Sequence, residues 1–329
     1  MRTVRLVRRM AVALLVLASL APLPGHEPRA GALSNTARVT IAYTGSYDYL
    51  YSMASDPSGN VYAVDDTVGD VVKLVNGKGN ALVLANDPGL PEGVTYYQGT
   101  LYVVNDDGSI DTLAPGGGPL TTLVGAPSIT GGGASGQQVV FDGAGDLFVA
   151  NSVNDAIGEV VAGTSREITS GISVPSGCGP WGLSIRKSTL FITCYDSDAL
   201  LSAALPVPSG GEATTPVVTP TLGEPGEMAQ DAAGNIYFAN YSLNDIVKVP
   251  ANGSAPSLLA TSGTALSSPW GMTWTRGSLY TILSTSPNSI ARILLPVPPV
   301  KRTITCVKGR SVKKVTRFSP RCPKGYKQR

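Results

Sequence analysis

The chain has 329 residues, 43% hydrophobic and 15% charged, enough to bury a sizeable core, and its 38 Gly and 25 Pro argue for frequent turns and against a helical bundle. The formal net charge of +2 sums three unlike segments. Residues 1–32 hold five Arg and one Glu, residues 33–300 hold nine basic and 22 acidic side chains, and residues 301–329 hold eleven basic and none acidic. So acidic a middle repels nucleic acid, and no nucleic-acid partner is expected.

At the start of the chain, Arg2, Arg5, Arg8 and Arg9 precede an apolar run from Met10 to Leu20, and Ala30-Gly31-Ala32 offers small residues around a cleavage point. This pattern predicts a secretory signal peptide over residues 1–32, and hence a secreted, extracellular or cell-wall-associated protein. The apolar run falls short of the roughly 20 residues that a spanning helix needs. The one histidine, His26, lies in this leader, so the mature chain would have none. That excludes Ser-His-Asp and Cys-His catalysis and His-ligated zinc.

A hairpin unit then recurs six times. Its second strand reads Asn60-Val61-Tyr62-Ala63-Val64-Asp65 in the first copy and Asn235-Ile236-Tyr237-Phe238-Ala239-Asn240 in the fifth. The aromatic anchors Tyr62, Tyr102, Phe148, Phe191, Tyr237 and Tyr280 are 40, 46, 43, 46 and 43 residues apart. Turns such as Asp56-Pro57-Ser58-Gly59-Asn60 and Asp231-Ala232-Ala233-Gly234-Asn235 join each anchor strand to the strand before it. Short strands repeating at this period predict an all-β, six-bladed β-propeller over residues 33–298. Val39-Thr40-Ile41-Ala42-Tyr43 has no partner of its own, and is expected to complete the last blade and close the ring. Asp65, Asn105, Asn151, Asp196 and Asn240 end their strands and read as turn formers. Gly131-Gly132-Gly133-Ala134-Ser135-Gly136 satisfies a phosphate-loop spacing, but a strand follows where a helix is required, so it reads as a loop.

The stretches Phe148-Val149-Ala150-Asn151-Ser152-Val153-Asn154-Asp155 and Tyr237-Phe238-Ala239-Asn240-Tyr241-Ser242-Leu243-Asn244-Asp245 resemble NHL-type and YVTN-type propeller repeats. Such propellers serve as binding scaffolds and as a few enzymes, so the resemblance implies fold rather than activity. The loops that begin each innermost strand are where ligands are expected: Pro91-Glu92-Gly93, Gly136-Gln137-Gln138, Pro180-Trp181-Gly182, Pro225-Gly226-Glu227 and Pro269-Trp270-Gly271. Glu92, Gln137, Trp181, Glu227 and Trp270 are the candidate ligand-binding residues, since Trp faces stack on rings or cations and carboxylates take polyols or a hard metal. These openings also resemble those of senescence-marker and gluconolactonase-like propellers, in which this position holds a divalent metal for lactone hydrolysis. Glu92-Gly93-Val94 matches that pattern, while Trp181-Gly182 and Trp270-Gly271 replace the expected Asn-Gly and Asp-Gly, and Glu227 is displaced by one. The resemblance implies calcium on Glu92 and Glu227, with Gln137 beside them. Streptogramin lyases are similar more distantly, because their chemistry uses histidine.

Four cysteines in an exported chain imply disulfides, and pairing Cys178 with Cys194 and Cys306 with Cys322 closes two short loops, the first across a predicted hairpin. After the stiff linker Pro296-Val297-Pro298-Pro299-Val300, residues 301–329 resemble a two-Cys tail of actinobacterial exported proteins. Its Lys308, Arg310, Lys313, Lys314 and Arg317 are expected to bind an anionic envelope polymer. The composite expectation is a monomeric, non-enzymatic envelope binding module without a cofactor. Its alternative is a divalent-metal-dependent lactonase-like hydrolase acting at the channel mouth.

Overall fold

The computed structural model describes residues 36–125, 136–165, 167–296, 302–317 and 321–329. The predicted leader, the loop 131–135 and linker residues 297–300 lie outside them. The described residues form strands, one short 3-10 turn at Val75–Gly77 and no α-helix. No described helix is long and apolar enough to cross a membrane.

The strands assemble into successive antiparallel sheets that follow the repeats. The first sheet orders Leu50–Ser55, Val61–Asp65, Asp70–Leu74 and Ala81–Asn86 from inside outward, and the second does the same from Pro91–Tyr97 to Thr121–Val124. Three more four-stranded sheets begin at Gly136–Phe141, Pro180–Arg186 and Pro225–Gln230. A five-stranded sheet carries Pro269–Thr275, Ser278–Leu283 and Ser289–Leu294, with Ala37–Thr44 antiparallel to the last and Thr261–Gly263 parallel beyond it. Each innermost strand lies against that of the next sheet, and Pro269–Thr275 lies against both Pro225–Gln230 and Leu50–Ser55.

The turns explain why the anchors are aromatic. In the first sheet the Asp56 carboxylate accepts the Asn60 N–H at 2.9 Å and the Tyr62 hydroxyl at 2.9 Å. The fifth repeats this with Asp231, Asn235 and Tyr237. The ring fills the space between sheets while its hydroxyl reaches the turn. Gly59, at φ +88°, supplies the left-handed residue that this turn needs. Asp65 and Asn151 hold the turns after their strands by accepting backbone N–H groups two and three residues on.

Both expected disulfides are present. Cys178–Cys194 bridges Cα atoms 4.6 Å apart, and Cys306–Cys322 bridges Cα atoms 5.5 Å apart in a small sheet formed by Arg302–Lys308, Ser311–Arg317 and Lys327–Gln328. Two disulfides point to an oxidising compartment.

Candidate functional site: a central channel with two unlike ends

Every innermost strand breaks register with its neighbour just after its first residue: between Leu50 and Met53, Pro91 and Gly93, Gly136 and Val139, Pro180 and Leu183, Pro225 and Met228, and Pro269 and Met272. Bulged residues leave the ladder and re-aim their side chains. These bulges hold the very positions singled out in the sequence.

One layer of bulged side chains closes the neck of the channel. Glu227 accepts the N–H of Met272 at 2.9 Å and of Met53 at 3.3 Å through one oxygen, and the Ser52 hydroxyl also bonds its carboxyl. Ser52 Oγ accepts the Val94 N–H at 3.1 Å. Gln138 accepts the N–H of Leu183 and of Met228, both at 2.8 Å, and donates to the Met228 carbonyl at 2.6 Å. Thr193 accepts the Gly182 N–H and donates to the Gly226 carbonyl. Backbone amides in and beside the bulges, left without ladder partners, are thus satisfied by four side chains, Ser52, Gln138, Thr193 and Glu227. Gly182 is required here, since a Cβ would lie 2.4 Å from the Gly226 carbonyl oxygen. Burial pushes the Glu227 carboxyl up to about 8, with the bonds from Ser52, Met272 and Met53 acting in the opposite direction.

At the end where the inner strands begin, five aromatic rings pack on one another. Trp270 meets Trp181, Tyr241, Tyr195 and Tyr51 edge-on, at centroid distances of 4.5, 5.0, 5.5 and 5.8 Å. Trp181 is only 8% exposed. The Tyr195 hydroxyl is pushed up by burial and by the neighbouring Glu224 carboxylate, which also takes the Ser242 hydroxyl. The Trp side chains predicted to meet a ligand therefore cap this end by packing on each other.

At the opposite end the inner strands finish around a cavity of about 370 Å³. All six contribute, through residues 53–55, 94–97, 138–141, 183–185, 228–230 and 272–274. Its walls carry the rings of Tyr96, Tyr97, Phe141 and Trp274, and among the described residues no charged side chain lines it. Tyr97 stacks on Phe141 at 3.9 Å, the Ser55 and Thr273 hydroxyls bond at 2.8 Å, and the buried Trp274 indole N–H has no partner among the described residues.

Of the sequence candidates, Trp181 and Trp270 are brought together, whereas Glu227 faces the strands of the first and sixth sheets. Glu92 is 5% exposed on Pro91–Tyr97. Gln137 lies on Gly136–Phe141 with its side chain outside the described residues, and its neighbour Gln138 is the residue that crosses the neck. Among the described residues no group of three or more His, Cys, Asp or Glu side chains is placed to hold a metal. One Glu227 oxygen already accepts two backbone amides, and the lactonase resemblance assigns the same carboxyl to a metal. In the tail, Lys308, Lys313 and Arg317 share one face of the hairpin by register, Lys314 lies on the other and Arg310 sits at the turn; all five are exposed. Sequence reasoning missed Tyr51, inside the first bulge, along with Tyr195, Tyr241 and Glu224 and the whole far cavity.

Comparison with solved structures fixes the fold. A virginiamycin B lyase from Staphylococcus aureus superposes with a TM-score of 0.55 at 16% identity, covering 75% of this chain and 80% of that one. A gluconolactonase from Xanthomonas campestris gives 0.63 at 14% identity, covering 79% and 90%. The chain is a β-propeller. A luciferin-regenerating enzyme aligns with this propeller at a TM-score of 0.61 and 15% identity, over 78% and 95% of the two chains. No family model and no curated protein matches the propeller sequence. Replacing one histidine by alanine leaves the lyase catalytically inactive, whereas this propeller has only His26, in the predicted leader.

Proposed function

We propose that the propeller has six blades, closed by the strand Ala37–Thr44, and that it takes a small, neutral, ring-bearing molecule into the far end of its channel. The observation that carries this reading is the 370 Å³ cavity, walled by four aromatic rings and by hydroxyl and amide groups without a charge. That is the size and lining of small-molecule sites in general. An aromatic wall stacks a ring, and the buried, unpartnered Trp274 N–H becomes a donor to an oxygen of the ligand once the indole turns toward the cavity. Calorimetry against a panel of lactones, sugars and aryl compounds tests it. Trp274→Phe keeps the ring and removes the donor, so affinity for the ligand found should fall about fivefold. A variant that binds as tightly as wild type contradicts the role of Trp274.

The solved structures favour a second reading, a lactonase-like hydrolase, because the propellers this chain resembles are a lyase, a gluconolactonase and a luciferin-regenerating enzyme. The Glu227 carboxyl, which holds its proton to about pH 8 beside the cavity wall, has the acidity expected of a group that transfers protons near neutrality. Ring opening of any lactone that binds, abolished in Glu227→Gln while binding persists, would establish this reading; binding without turnover supports the passive module. For the tail, we propose attachment of the secreted chain to an anionic envelope polymer through its exposed cations.

A further inference from the structure

Where the chain crosses from the first sheet to the second, three buried oxygens face no donor. They belong to Asp87, Asn105 and Asp111, which are 2%, 1% and 8% exposed, and the oxygens are Asp87 Oδ2, Asn105 Oδ1 and Asp111 Oδ1. The three side chains touch: Asn105 Nδ2 donates to Asp111 Oδ2 at 2.9 Å, and the Asp111 carboxylate and the Asn105 amide both act on the Asp87 carboxyl. Gly89 packs over them, since a Cβ there would lie 2.7 Å from Asn105 Cγ.

The fifth sheet shows the same crossing built without this feature. There Thr221-Leu222-Gly223-Glu224-Pro225 occupies the place of Asp87-Pro88-Gly89-Leu90-Pro91. Asn240 Oδ1 accepts the Gly223 N–H at 2.8 Å, and its Nδ2 donates to Asp245 at 2.8 Å, so the amide is satisfied at both ends. In the second sheet Asp87 Oδ1 takes the corresponding Gly89 N–H at 2.9 Å. The Asn105 oxygen is left without it, and a second carboxylate stands beside Asp111.

A buried oxygen without a donor costs about 1 to 3 kcal/mol, and more when it carries charge. A proton shared between Asp87 and Asp111 would satisfy two of the oxygens and leave the amide oxygen of Asn105 orphaned. A cation seated among the three side chains would satisfy all three at once. Two carboxylates and an amide oxygen are hard donors of the kind that calcium takes, and their charge of −2 matches a divalent ion. We propose that Asp87, Asn105 and Asp111 bind a calcium ion that pins the first sheet to the second. None of these three residues lines the cavity, so the test of this site does not depend on the proposed ligand.

The experiment is a thermal melt of the mature chain stripped with EDTA, then titrated with calcium chloride, with calorimetry for stoichiometry. Wild type should bind one ion, and its Tm should rise by about 4 °C once calcium exceeds Kd a hundredfold. Asp87→Thr, which installs the residue of the fifth sheet, should lose the shift and melt in EDTA no lower than wild type. Asp111→Asn provides the same readout should Asp87→Thr fail to fold. The proposal is overturned if the wild-type Tm ignores calcium, if Asp87→Thr keeps the shift, or if the shift is lost only in Glu92→Gln. A Tm that ignores calcium but climbs as pH falls through the carboxylate range would mean a shared proton, and would overturn it equally.

Discussion

Glu227 shows how a single side chain can serve two ends. Its carboxyl is wholly buried, and its pKa stands near 8 against an ordinary 4.5. A carboxyl whose folded pKa is raised stabilises the fold in its protonated form. That contribution is complete below about pH 4.5 and is lost as pH rises to about 8, because the unfolded chain ionises first. Unfolding free energy measured in urea should therefore fall between pH 5 and pH 9, by an amount on the order of a few kcal/mol. Glu227→Gln retains an oxygen for the Met53 and Met272 amides and cannot ionise, so its pH slope over this interval should be much shallower. An unchanged slope would show that Glu227 is not the group responsible. The residue was visible in the sequence as one of two Glu near strand beginnings. Its role was not, because the one-residue offset between Pro91-Glu92 and Gly226-Glu227 decides whether a bulge turns the carboxylate toward neighbouring backbone.

At the scale of elements, the Cys178–Cys194 bridge fastens the loop before Pro180–Arg186 to the end of Thr189–Cys194. The bonds from Tyr195 N to Gly179 O and from Asp196 N to Cys178 O continue that clamp, which holds Trp181 and Tyr195 in the aromatic cap. Replacing both cysteines by alanine should lower the unfolding free energy by about 3 kcal/mol, read from the urea midpoint; no loss would mean that the cap holds without the bridge. The tail hairpin presents cations on both faces, so its adhesion should follow charge and not shape. Binding to isolated envelope should weaken steeply between low and physiological salt and disappear on deleting residues 301–329, and a truncated chain that binds fully would contradict this. Strands, hairpin turns and both bridges were legible because each is set by local chemistry: the Asp-Gly turns, the aromatic anchors, the cysteines across a hairpin. The bulges were not, since Pro180-Trp181-Gly182-Leu183 reads locally as an ordinary strand start.

For the whole molecule, the repeat period reveals the propeller, but the end at which a ligand is received depends on how six inner strands converge. Met53, Val94, Val139, Leu183, Met228 and Met272 look like core residues in sequence, and only their common approach to one axis makes them walls of a cavity. The aromatic residues expected to greet a ligand pack on one another at the opposite end. The most direct test fills the cavity: Phe141→Arg places a long charged side chain among its neutral walls. The ligand selected by wild-type calorimetry should then bind at least about tenfold more weakly, with the melting transition still cooperative. Undiminished binding by a folded Phe141→Arg chain, paired with loss of binding in Trp270→Ala, would place the ligand at the aromatic end and contradict this account.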